Sequence, residues 1–192
     1  MFLERSQDLR VAGDLVGAER DALSALGLQP RNKLVLALLA ELALDHGDLD
    51  GAGGWLFVAA QSPGLAPSPL LLAQARHALA EGDLEGAQGF LDQARPRGRQ
   101  PARTAALQAR LFVLAGDPAA GLGLLSRPRF DLDQHLCLLR GRVLTLQALG
   151  AEEEAASWRA LLNAQASNGS LDTESVPQLA LQIGVSTPRP GR

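Results

Sequence analysis

Small, bulky apolar and polar residues along this chain keep a common register with five glycines. Gly13, Gly47, Gly82, Gly116 and Gly150 are spaced by 34, 35, 34 and 34 residues. Five residues after them stand Ala18, Ala52, Ala87, Gly121 and Ala155; twelve after, Ala25, Ala59, Ala94, Pro128 and Leu162. Seven before them stand Ser6, Ala40, Ala75, Ala109 and Val143. Bulkier residues fill the same faces: Leu36, Leu71 and Leu139 eleven before, Leu9, Phe112 and Leu146 four before, Leu56, Leu91 and Leu125 nine after. These offsets combine intervals of three, four and seven, which fall on one stripe of a helix. Small residues on both sides of the glycine let two antiparallel helices approach closely.

The pattern predicts five helix pairs: 2–12 with 15–28, 33–45 with 49–61, 69–80 with 84–94, 102–114 with 118–126, and 133–148 with 152–166. Each marker glycine occupies the turn, where positive φ carries no Cβ penalty. The aspartate that follows it in the first four pairs caps the next helix by accepting a backbone N–H bond. Breaker-rich stretches at 62–69, 95–101 and 126–131 separate the pairs. Gly51, Gly53, Gly54, Gly86, Gly89 and Gly123 fall inside second helices, where each costs about 0.5–1 kcal/mol against alanine. Close backbone approach or a soft array would account for them.

A repeat of this length built on small residues, a Gly-Asp-Leu turn (13–15, 47–49, 82–84) and alanines five and twelve residues later resembles the tetratricopeptide repeat family. Pro30 ends the first pair where that family often has proline. The resemblance covers about residues 2–165 and implies an all-α, right-handed superhelical solenoid of about five helix-turn-helix repeats. Two departures stand out. The family's large aromatic early in the first helix is present only as Phe2, and Pro118, Gly121 and Pro128 predict a short or bent second helix in the fourth pair. After about residue 166 the register ends. Within 166–192, the apolar stretch 176–185 is expected to form a capping segment, and 186–192 a disordered tail.

Composition agrees with helices. Ala and Leu dominate, with five Phe, two Trp and no Tyr. One cysteine excludes an internal disulfide and a cysteine-based metal cluster. No stretch approaches the about 18 apolar residues of a membrane span, and MFLERSQDLR carries charge within four residues. The expectation is a soluble, cytoplasmic protein. His46, His77 and His135 lack metal-ligand spacing, Cys137 has no identifiable base beside it, and no phosphate loop is present. The chain is therefore expected to be non-catalytic, with no cofactor, no metal and no small-molecule substrate. Glu152, Glu153 and Glu154 suit a helix N-terminus. Trp55, Phe90 and Trp158, each eight residues after its glycine, lie on the packed side of the second helices and read as core rather than as a stacking ladder.

Charge adds one asymmetry. The net charge is -3, but residues 1–94 carry -7, residues 95–142 carry +6 and residues 143–192 carry -2. The family resemblance implies that first helices line a concave groove that binds an extended peptide or a partner helix. On that basis the positions six, ten and thirteen before the glycines face the groove. Glu41, Leu72, Arg76, Arg103, Ala106, Arg110 and Arg140 become the candidate partner-binding residues, with Gln7, Leu34 and Leu144 beside them. Arginine pairs with carboxylates through bidentate hydrogen bonds, so the expected partner is an acidic or amphipathic protein segment. The competing reading of these arginines is a solvated face, partly paired with Glu41. An alternative function is association with nucleic acid through the block 95–142; the overall acidity and the single lysine weigh against it.

Overall fold

The computed structural model describes residues 1–97, 101–125 and 135–168. Among them there are ten α-helices, one short 3₁₀ turn and no strand. The helices are α1 (Phe2–Val11), α2 (Leu15–Leu28), α3 (Lys33–His46), α4 (Leu49–Gln61), α5 (Ser68–Glu81), α6 (Leu84–Ala94), α7 (Pro101–Leu114), α8 (Pro118–Leu125), α9 (His135–Ala148) and α10 (Glu152–Asn168). The expected limits agree to within two residues. α8 is described from Pro118 to Leu125; the early end expected from Pro128 lies outside the described residues. The proposed cap at 176–185, the tail 186–192, the breaker-rich stretch 126–131 and the expected first residues of the helix 133–148 lie outside the described residues.

All five marker glycines have φ between +74° and +85°. The backbone N–H of the residue after each one donates to a carbonyl five residues back: Asp14 to Leu9, Asp48 to Ala43, Asp83 to Ala78, Asp117 to Phe112 and Ala151 to Leu146, at 2.9–3.0 Å. This closes each first helix with a left-handed turn that satisfies its last carbonyls. The aspartate then starts the next helix. Asp14, Asp48 and Asp83 accept from the N–H of Gly17, Gly51 and Gly86 at 2.9 Å, and Asp117 from Ala120 at 3.0 Å.

The chain divides into two compact units, residues 1–99 and 100–192. In the first, α1 pairs with α2, α3 with α4 and α5 with α6; α2 also packs on α3, and both α3 and α4 pack on α5. In the second, α7 pairs with α8 and α9 with α10, while α7 and α8 both pack on α9. The same rule thus operates in each: a first helix meets its own partner, and both meet the first helix of the next pair. α3 is covered on several sides, so every residue from Val35 to Leu42 is buried.

Small residues make the contact within each pair. Ser6 Oγ donates to the Ala18 carbonyl at 2.6 Å. Ala40, Ala52, Ala75 and Ala87 are fully buried. A Cβ on Gly121 would lie 3.0 Å from both the Ala109 carbonyl oxygen and the Thr145 methyl. One step along the helix, residues eight before and eight after the glycine face each other. Arg5 and Asp21 form an ion pair at 3.1 Å, Leu39 and Trp55 share a core cluster, and Arg142 lies over Trp158 with 4.3 Å to the ring centroid. The tryptophans are interhelical packing, as their register indicated.

The internal glycines sort into kinds. A Cβ on Gly51 or Gly86 would overlap the capping aspartate's carboxylate, at 2.1 Å from Oδ2. Ala120 at the same position keeps its cap, so that carboxylate can swing aside. Gly53 faces the His77 ring. Gly54, Gly89 and Gly123, each seven residues after its marker, have open space where a Cβ would go. We expect Gly54→Ala and Gly89→Ala each to raise unfolding free energy by about 0.5–1 kcal/mol, and Gly121→Ala to lower it. Chemical denaturation of the three variants checks this; a gain for Gly121→Ala contradicts the close contact.

Candidate partner-binding site

The first unit changes the meaning of two expected groove residues. Glu41, 3% exposed, lies between two arginines from neighbouring first helices. Arg10 Nη2 donates to its Oε2 at 2.9 Å and Arg76 Nη1 to the same oxygen at 2.8 Å. One turn on, Asp45 accepts from Arg10 Nε at 2.5 Å and stands 2.7 Å from Arg76 Nη1. Two guanidinium groups and two carboxylates therefore tie α1, α3 and α5 together with no net charge. Arg76 is thus part of an internal ion cluster rather than one member of a uniformly basic groove. Leu72 is fully buried and cannot offer an apolar contact to a partner. Leu34 remains exposed at the start of α3.

Burial, the largest single influence on Asp45, pushes its carboxyl upward. The hydrogen bond and charge of Arg10, with the charge and hydrogen bond of Arg76, together outweigh it and hold the group below its ordinary value of 3.8.

In the second unit the candidate residues fall on two adjoining helices. Arg103, Ala106 and Arg110 stand three and four residues apart on α7 and are half-buried. Ala106 backs onto α9 where a Cβ on Gly141 would lie 3.6–3.7 Å from it. Next to that contact α9 exposes Arg140 and Leu144. Arg103, Arg110 and Ala106 on α7 and Arg140 and Leu144 on α9 thus bring basic and apolar residues near one another; Arg103 and Arg110 also interact within the chain.

Deeper in the second unit, Arg142 stacks on Trp158, which is 5% exposed. Burial lowers the Arg142 pKa and the charge of Glu154 opposes that; a guanidinium stays ionised at neutral pH regardless. The indole N–H and the Arg142 Nε are buried without hydrogen-bond partners.

Among the described residues no cluster of His, Cys, Asp or Glu has the arrangement of a metal site, and no helix is long and apolar enough to cross a membrane. His77 sits between the Leu49 carbonyl and Glu81, each at 3.1 Å, an interhelical position. His46 is exposed. The side chain of Cys137 lies outside the described residues. The register missed Phe57 and Val58, which α4 leaves 66% and 41% exposed. Their signal was available as two apolar residues on the stripe opposite Ala52 and Ala59.

Arg76→Glu places a third carboxylate beside Glu41 and Asp45 and leaves Arg10 alone to balance them. It should cost roughly 3 kcal/mol of stability, measured by denaturant unfolding; a neutral outcome removes the ion cluster as a structural element. The Asp45 carboxyl is depressed in the folded protein, so its contribution is complete above the ordinary aspartate value and is lost as pH falls through the folded-state value. As pH falls below the ordinary aspartate value, the wild type should lose stability more steeply than Asp45→Asn. Parallel slopes contradict the assignment.

Comparison with protein-family models, with curated proteins and with solved structures gives no match.

Proposed function

We propose that this chain is a non-catalytic adaptor of the tetratricopeptide kind. In this reading its helix pairs form a right-handed solenoid of five repeats, working in the cytoplasm, and it holds an acidic or amphipathic segment of another protein. The observation that carries the proposal is the fivefold turn, in which a positive-φ glycine and a bond back across five residues recur at a period of 34 or 35. Repetition of one packing unit builds extended surfaces rather than a single enclosed site. The enzyme alternative has no spaced set of nucleophile, base and oxyanion donor to draw on.

The binding face we assign is the one on α7 and α9. In the first unit Arg10 and Arg76 are matched by Glu41 and Asp45, so charge there is spent on joining helices. The second unit places Arg103 and Arg110, which also interact within the chain, on α7 and Arg140 on α9, with Ala106 and Leu144 beside them. Arginine suits this role because its fork engages carboxylates in pairs of parallel bonds.

Affinity purification of the tagged protein, with and without nuclease, tests the proposal against an Arg110→Ala/Arg140→Ala variant. A protein partner that survives nuclease and falls at least ~10-fold in the variant, with helicity unchanged, is the expected result; tenfold corresponds to about 1.4 kcal/mol. Loss of bound material on nuclease treatment moves the function to nucleic acid and the block 95–142. Equal recovery from wild type and variant sinks the α7–α9 face.

A further inference from the structure

α4 packs inward through Ala52, Leu56 and Ala59, which are buried. Its opposite side is a single stripe of Asp50, Gly54, Phe57 and Gln61, at intervals of four, three and four, and all four residues are exposed. Val58 and Ala60, exposed as well, flank the stripe. Phe57 is 66% exposed, and beyond the helix's own backbone nothing lies within 4 Å of where a Cβ on Gly54 would stand. The stripe therefore carries a large projecting ring next to a bare recess. Its spacing is that of the seam along which two helices interlock.

We propose that a second copy of this chain docks on this stripe, the two α4 helices lying antiparallel about a two-fold axis at the level between Trp55 and Leu56. That axis lies midway between Gly54 and Phe57 and also midway between Asp50 and Gln61. Phe57 of each copy then enters the recess at Gly54 of the other. At each end, the Gln61 amide of one copy donates to the Asp50 carboxylate of the other. A parallel pair would set ring against ring, recess against recess and Asp50 against Asp50. The antiparallel pair keeps the two Asp50 carboxylates eleven residues apart along the seam. That is about 16 Å, beyond the screening length of about 8 Å at physiological salt.

Shape selects this occupant more than charge does, since Asp50 is the only charged residue within α4. The other second helices of the first unit lack the match. Where α4 has Gly54 and Phe57, α2 has Arg20 and Leu23, and α6 has Gly89 with Asp92, which is ion-paired to Arg95. The contact uses one patch on both copies and so closes at two. Centred on one helix of 13 residues, it belongs to the small class of specific interfaces, and the dimer forms as concentration rises. It goes beyond the adaptor reading and uses none of the arginines of α7 and α9.

Sedimentation equilibrium of the full chain between about 1 μM and about 1 mM is the test. Wild type should pass from monomer to dimer and no further. Gly54→Leu fills the recess with a side chain that the open helix surface accommodates. It should keep helicity and thermal stability while weakening the dimer at least ~10-fold, and Phe57→Ser should weaken it as much. Gln61 reports the register. Gln61→Lys gives each Asp50 a cation across the axis and should tighten the dimer ~3-fold at low salt, whereas Gln61→Glu should loosen it. A wild type still monomeric at about 1 mM overturns the proposal, as does growth past the dimer. So does a folded Gly54→Leu that associates as the wild type does. A Gln61→Lys variant with a looser dimer, the result a parallel pair requires, overturns it too.

Discussion

Everything in this fold depends on how closely the two helices of each pair approach. At the crossing, seven residues before the turn and five after it, the chain allows Ser6 and Ala18, Ala40 and Ala52, Ala75 and Ala87, Ala109 and Gly121, and Val143 and Ala155. These residues bury little apolar area and contribute little energy of their own. What they fix is distance. With small residues at the crossing letting the backbones come close, leucines such as Leu36, Leu71, Leu91 and Leu146 reach the neighbouring helix and become fully buried. The turn obeys the same constraint. Only a connection as short as a positive-φ glycine followed by a capping residue brings two helices back side by side at that spacing.

Most of this was legible because it is local chemistry repeated. A Gly-Asp dipeptide states both a helix end and a helix start, and the same statement recurs in four turns. In the fifth, Ala151 has no carboxylate to cap with, and α10 opens instead on Glu152, Glu153 and Glu154, whose charge suits the helix N-terminus. The interhelical tryptophans were legible for the same reason, since their offset from the small residues put them on the packed side.

The ion cluster was harder to read because it spans three helices and separations of 31 and 35 residues. Yet its signal lies in the repeat itself. Glu41 and Arg76 both stand six residues before their glycines, and first helices of successive pairs are neighbours, so like positions face one another. Opposite charges at one register in consecutive repeats therefore mark a ladder contact. Treating that register as a groove assumed that its residues faced a partner, whereas in α3 and α5 they face each other. Leu72 failed for a related reason: α5 lies against both α3 and α4, which leaves little of its surface open.

That distinction bears on how a chain of similar helix pairs acquires function. Positions that make the crossing, the turn and the caps are restricted to small, positive-φ or capping residues, and are filled accordingly in nearly every pair. Registers that face the neighbouring pair are restricted only to be compatible with it, and in the first unit they are used for joining helices. What remains variable is the outward face of the second helices and the first helices of the second unit. There the residues change from pair to pair: Arg20, Gly54, Gly89, Gly123 and Ser157 at one register, Leu23, Phe57, Asp92 and Ala160 at another. A glycine in open helix surface has no packing reason within its own pair and lowers stability relative to alanine. Phe57 exposed to water has none either, since burial is what an aromatic contributes to folding. Both features stand on the one part of the repeat that folding leaves unspecified, which is where a surface shaped by something other than folding has to be sought.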